Sequence, residues 1–308
     1  MLRKTFLALS LLTFLFNITS NAQFQLIKNF DNGTLNSFNS DYSGILYSIG
    51  SKVIVQYDSI AAGQYKGLTT LAAVDKLGNS QRFTSIQTNY DNSSFFDFKT
   101  LPDGKIAFVS MAANGASKII ISDGTSAGTT EVYTSSKIVD GLEFIDNGLY
   151  FTYDGDSNHE LMHIDLVTFA VSSVKKFGYF HMISDISKVS NTSLIFMAPD
   201  ATDNNYLKLY VSDGTSAGTM PLATINTTGG VSQNTVMTKV GNKVYFFYKR
   251  PGTDCCNDLW VTDGTIAGTH NLKEFNIVFF TDFVREGKAI AWNNKFYFCS
   301  CSNRWEFE

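Results

Sequence analysis

The chain has 308 residues, and an apolar share of 44% is enough to bury a sizeable core. Lys and Arg number 24 against 28 Asp and Glu, an acidic balance that argues against nucleic acid as a partner, since phosphate contacts need clustered cations. Abundant Phe, Tyr, Ser, Thr, Asn and Gly with only four Pro suits short strands and tight turns and argues against a helical fold.

Residues 1–22 have the form of a signal peptide. Arg3 and Lys4 supply the positive start, Phe6 to Phe16 the apolar centre, and Ser20-Asn21-Ala22 a small-residue cleavage site. The apolar stretch is too short to cross a bilayer, and no later stretch reaches that length. No Cys follows the cleavage site to carry a lipid anchor. The expectation is therefore an exported protein, secreted or on the cell surface, with no membrane span. Its mature chain, 23–308, is expected to fold as one domain.

Taken in order, that chain repeats. Ile121-Ser122-Asp123-Gly124-Thr125-Ser126-Ala127-Gly128-Thr129 returns around Asp213-Gly214-Thr215 and again around Asp263-Gly264-Thr265. Looser copies place Asp75 and Asp165 in the same frame, and Trp305 stands in frame just before Glu308. The markers Asp75, Asp123, Asp165, Asp213, Asp263 and Glu308 are 48, 42, 48, 50 and 45 residues apart. Each unit also has a turn rich in Gly or Asn before an aromatic or β-branched run, as in Gly241-Asn242-Lys243-Val244-Tyr245-Phe246, a strand–turn–strand signal. Four strands recurring every forty to fifty residues predict a β-propeller, here an all-β, six-bladed ring of four-stranded antiparallel blades. Ile27-Lys28-Asn29-Phe30 shares the frame of the fourth strands at Val174-Lys175-Lys176-Phe177 and Leu272-Lys273-Glu274-Phe275. Residues 24–30 are thus expected to complete the last blade and close the ring.

Leu259-Trp260-Val261-Thr262-Asp263-Gly264-Thr265 with Gly268-Thr269 resembles the repeat unit of the bacterial ELWxxDGT repeat family. Asp258 stands for the leading Glu there, and Tyr210 and Ile120 stand for the Trp in two other copies. The resemblance implies an exported protein and brings no catalytic residues to map.

The Asp-Gly-Thr turns read as structural: Asp accepts backbone N–H groups, Gly takes the strained φ, and Thr adds a hydroxyl. Asp154-Gly155-Asp156-Ser157-Asn158-His159-Glu160 is the richest polar loop. Asp154, Asp156, Asn158 and Glu160 alternate as calcium ligands do, but His159 stands where a calcium loop needs Gly, so a solvated hairpin is the competing reading. No other cofactor is expected. The four His are not at zinc spacing and have no nucleophile context. Cys255, Cys256, Cys299 and Cys301 cluster late in the chain, which in an exported protein reads as disulfides, with three pairings open. The function expected is non-catalytic binding of an extracellular glycan, peptide or surface protein. Its loops would join second to third strands and adjacent blades, opposite the Asp-Gly-Thr turns. The alternative is a carbohydrate-active hydrolase using carboxylates on the same face.

Overall fold

A computed structural model describes residues 47–298 apart from 61–65, 90–93, 113, 147, 156–157, 179–183, 200–206, 226–236, 250–256 and 275–288. The first blade holds β1 (Tyr47–Ile49), β2 (Lys52–Ile60), β3 (Lys66–Val74) and β4 (Ser80–Asn89). The second holds β5 (Ser94–Thr100), β6 (Ile106–Met111), β7 (Ser117–Ser122) and β8 (Thr129–Ser135). The third holds β9 (Val139–Ile145), β10 (Gly148–Asp154), β11 (His159–Asp165) and β12 (Val171–Phe177). The fourth holds β13 (Ser184–Ser190), β14 (Ser193–Pro199), β15 (Leu207–Ser212) and β16 (Met220–Ile225). The fifth holds β17 (Thr238–Val240), β18 (Lys243–Lys249), β19 (Asn257–Thr262) and β20 (His270–Glu274). A final hairpin joins β21 (Ala289–Trp292) to β22 (Lys295–Phe298).

Each of the five blades is a four-stranded antiparallel meander in sequence order; Asp75, Asp123, Asp213 and Asp263 fall between third and fourth strands, and Asp165 is the last residue of its third strand. The sixth unit is a two-stranded sheet among the described residues. Segments 24–30 and 299–308, expected to supply its other strands, lie outside them.

The blades stack face to face, which is the reason the second strands of blades two to five carry apolar runs such as Ile106-Ala107-Phe108-Val109 and Leu194-Ile195-Phe196-Met197. Successive side chains on a strand point to opposite faces, and here both faces are covered. On β6, Ile106 and Phe108 pack with Ile54, Leu71 and Phe95 in the seam between blades one and two. Ala107 and Val109 pack with Leu149 and Phe151 in the seam between blades two and three. On β14, Leu194 and Phe196 join Phe177 and Tyr210 in one seam, while Ile195 and Met197 join Phe246 in the next. Phe196 stacks on Tyr210 at 5.6 Å and meets Phe177 edge-on at 5.6 Å.

A β-bulge recurs between the third and fourth strands of all five blades, at Leu71/Ala72, Ile119/Ile120, Leu161/Met162, Leu209/Tyr210 and Leu259/Trp260. This is the Leu-Trp position of the repeat frame. The unpaired residues on the fourth strands are Phe83, Val132, Val174, Leu222 and Leu272, always apolar. The apolar residue that opens the fourth-strand frame at Val174 and Leu272 is thus the bulged one. A bulge adds local twist to the strand that carries it, here the outermost of each blade.

Candidate functional site

The three full Asp-Gly-Thr turns are built alike. Asp123 Oδ1 accepts the Thr125 amide at 2.8 Å and the Thr125 hydroxyl at 2.7 Å. The Gly128 amide donates to Thr125 Oγ1 at 3.0 Å, and the Ser122 and Thr129 hydroxyls meet at 2.7 Å. The same bonds recur around Asp213 and Asp263. A Cβ on Gly128, Gly218 or Gly268 would fall on the carboxylate of its own turn, so the second glycine lets the chain pass over the Asp. Gly124, Gly214 and Gly264 have φ of +83°, +87° and +86° and nestle against the preceding blade, at Ala73, Tyr150 and Val189 respectively. These turns lock blades together, and they occupy separate blades without converging on one point.

The threonine hydroxyl, then the threonine amide, hold Asp213 and Asp263 below the ordinary carboxylate value; for Asp123 the hydroxyl again leads. Because the folded values lie below the unfolded one near ~4, the turns add stability above that pH. The contribution is lost as pH falls through the lowered folded values. Each share is modest at these exposed sites. Melting temperature is expected to fall on the acid side, and the combined Thr125→Val, Thr215→Val and Thr265→Val variant to show a shallower fall.

The innermost strands are also tied across seams. The Gly141 amide donates to Asp97 Oδ2 at 2.7 Å, and Lys99 pairs with Glu143 at 3.3 Å. The Lys188 amide donates to the same Glu143 carboxylate at 3.2 Å, and Lys239 Nζ donates to the Val189 carbonyl at 2.7 Å. Burial, then the neighbouring Lys188, push the Lys239 ammonium down.

Two departures from the repeat meet at one seam. Four other first turns are two-residue links, such as Ile49↔Lys52 and Val240↔Lys243, but the β5–β6 turn is longer and carries Leu101, Pro102 and Asp103. On the facing blade, the β11–β12 turn keeps the repeat length but lacks its glycines. Leu166 takes the place of Gly124, Val167 that of Thr125 and Phe169 that of Ala127. Thr168 supplies the hydroxyl to Asp165 Oδ1 at 2.9 Å instead. The positive φ moves to Phe169, at +56°. Between the two turns lies a cleft of about 210 Å³, walled by Leu101, Pro102, Ile121, Phe144, Leu166 and Phe169. Asp103 and Lys105, paired at 3.0 Å, stand at its edge.

No family model matches the chain, and no curated protein matches it. Among solved structures it is similar to TolB from Acinetobacter baumannii, at 17% identity and a TM-score of 0.45, over 68% of this chain and 49% of that one. The chain thus spans about half the length of that protein. It is similar to the β-propeller domain of the Trilobed protease from Pyrococcus furiosus, at 17% identity and a TM-score of 0.49, over 83% and 78%. A third is prolyl oligopeptidase B from Galerina marginata, at 10% identity and a TM-score of 0.51, over 76% and 34%. At that identity the likeness is one of fold alone. The blades described above make the chain a β-propeller in architecture.

The polar loop expected to hold calcium is partly visible. Asp156 lies outside the described residues. Asp154 Oδ1 is 3.0 Å from His159 Nδ1, Asn158 Nδ2 donates to Glu160 Oε1 at 2.8 Å, and Lys176 lies 3.2 Å from the same oxygen. Burial pushes the Glu160 carboxyl up, but hydrogen bonds from Ser173, Asn158 and Lys176 outweigh it and hold the group low. The Gly155 amide closes the turn onto the Asn158 carbonyl at 3.0 Å. One carboxylate oxygen of Asp154 and one of Glu160 are held by these partners, and we expect millimolar calcium to leave the melting temperature unchanged; a rise that Asp156→Ala removes would restore the calcium reading. Cys255, Cys256, Cys299 and Cys301 all lie outside the described residues. The cleft residues were missed in the sequence, although the absence of glycine after Asp165 was its visible sign.

Proposed function

We propose that the protein is an exported, non-catalytic binding propeller that recognises an extracellular glycan, peptide or surface protein. The observation that carries this reading is the contrast between its polar and apolar features. The described carboxylates of the turns, the inner strands and the Asp154 loop are engaged in holding structure, whereas the cleft between blades two and three has room and apolar walls. Purified protein screened against glycan and peptide arrays and against chromogenic glycosides tests it. Binding without turnover is expected; turnover would favour the carbohydrate-active hydrolase instead.

The same proposal includes six blades, with residues 24–30 pairing beside the strand that holds Trp305 to close the ring, and membership of the ELWxxDGT repeat family. The recurrent bulge supports it: Ile27 stands in the frame position that Val174 and Leu272 fill. A disulfide from the Cys255–Cys256 segment to Cys299 or Cys301 belongs to it as well, and intact mass after alkylation without reductant reads that bridge.

A further inference from the structure

We infer that the inner strands of blades four and five bind an oxyanion, a sulfate, phosphate or carboxylate group, at Lys188 and Lys239. The inference adds a charged ligand group and a second place to the binding reading above, and rests on that reading only where the anion is carried by a glycan.

The repeat itself sets the two lysines side by side. Lys188 lies opposite Leu194 and Lys239 opposite Val244, each of these being the second residue of its blade's second strand. The two lysines thus hold one place in consecutive blades, and each turns back to the blade before its own. Lys188 Nζ stands 5.3 Å from the centroid of the Phe144 ring, and Lys239 Nζ donates to the Val189 carbonyl at 2.7 Å. The two ammoniums feel each other: burial first, then Lys188, pushes Lys239 below its ordinary value.

The positive charge here is not answered. Glu143 is the nearby carboxylate, and it is already taken. Its Oε2 accepts Lys99 Nζ at 3.3 Å and the Lys188 amide at 3.2 Å, while Oε1 accepts the Phe144 amide at 3.0 Å. Among the described residues, neither Lys188 nor Lys239 has a carboxylate within ion-pair distance, and Lys188 Nζ has no hydrogen-bond acceptor. Asp97 and Asp140 lie earlier on their strands, where Asp97 Oδ2 and Asp140 Oδ1 both accept the Gly141 amide, at 2.7 and 2.8 Å. Three lysines therefore stand against one carboxylate, on a chain whose net charge is −4.

The propeller does not need lysine at this place, since Ser48 fills it in blade one and Phe144 in blade three. Neighbouring like charges disfavour the charged form and oppose folding unless something answers them. An oxyanion answers both ammoniums at once, and it gives Lys188 the acceptor it lacks. Lysine meets such a group as a point charge on a flexible stem, without the fixed fork of arginine, so weak and salt-sensitive binding is expected. The place also adjoins the cleft, because Phe144 beside Lys188 is one of the cleft's walls.

Titration calorimetry of the full mature chain with sodium sulfate and sodium phosphate, at an ionic strength held constant with chloride, tests the site. Saturable millimolar binding is expected, weakened at least tenfold by Lys188→Gln and by Lys239→Gln and kept by Lys239→Arg. Lys76→Gln, on the exposed β3–β4 turn, should leave it unchanged. Without the anion both Gln variants should melt no lower than the parent, which separates loss of the site from loss of the fold. Sulfated and uronic-acid oligosaccharides are then compared with neutral counterparts. Tighter binding of the acidic ones, lost in the same variants, places the anion on a glycan; binding of the inorganic ions alone makes the ligand a free ion. No saturation by any of these probes, or equal binding by the Gln variants, would overturn the inference. If arrays yield a ligand while no acidic probe saturates, the anion site fails and the binding reading survives. Turnover of a glycoside would remove the binding reading and leave the inorganic-ion result standing.

Discussion

Gly214→Ala is expected to lower the melting temperature by on the order of 10 °C. Two costs add at this position. The residue sits at φ +87°, where a side chain costs about 1–3 kcal/mol, and its Cβ would fall on the hydroxyl of Tyr150 in the preceding blade. Tyr150 is buried and packed against the His163 ring at a centroid distance of 4.8 Å, so it has little room to yield. Overpacking of this kind costs about 1–3 kcal/mol, and each kcal/mol moves the melting point of a domain this size by about 2–4 °C. Gly104→Ala separates the two costs, because Gly104 has a φ of +82° with nothing within 4 Å of the added Cβ. Tyr150→Phe on the Gly214→Ala background should recover part of the loss, as coupled neighbours do. Equal melting of the Gly214→Ala and Gly104→Ala proteins would show that the blade contact contributes nothing.

A chain that starts at Asn32 should aggregate or melt far below one that starts at Gln23. If residues 24–30 close the ring as proposed, their removal deletes four or five ladder bonds at about 1 kcal/mol each. It also exposes one Phe whose burial contributes about 2 kcal/mol. The sum is comparable to the whole stability of a domain, ~5–15 kcal/mol. The strand edge at Trp305 would then be left open as a template for association. Ile27→Asp in the intact chain should act in the same direction, since Ile27 stands in the position of the bulged apolar residue. Matching melting curves for the two chains would remove the six-bladed closure.

Much of the fold could be read from spacing alone, because a repeat prints its period directly. The Asp markers locate a third and a fourth strand in each described blade, and the Asn- and Gly-rich turns locate the first two. Burial of both faces is why β6 and β14 read as continuous apolar runs. The bulge at the Leu-Trp position stayed hidden, since hydrogen-bond register leaves no mark in composition; only its apolar occupant, as at Val174, was visible as part of a frame. The cleft stayed hidden for a different reason. Pattern reading rewards what recurs, and this feature is made by two failures to recur, the long turn at Leu101–Asp103 and the turn at Asp165–Phe169 without glycine. Attention to the loops opposite the Asp-Gly-Thr turns therefore pointed away from the side where the cleft lies. The inner-strand role of Glu143, which joins Lys99 to the backbone of Lys188, likewise depends on which blades are neighbours.

The stitches between blades also bear on how the chain can assemble. Ser126 reaches back to Arg82, Gly141 to Asp97 and Lys99 forward to Glu143 over 44 residues each, and Lys239 reaches Val189 over 50. The entropy of closing a loop grows only with the logarithm of its length, so each of these seams costs nearly the same to form. None has to wait for a distant part of the chain. Assembly can proceed as a zipper during synthesis, each new blade templated by the one just made, at a pace set by one repeat and independent of total length. Joining the last blade to residues 24–30 is the sole step of the proposed ring that must search across the entire chain, and it is the natural candidate for the slow phase in refolding.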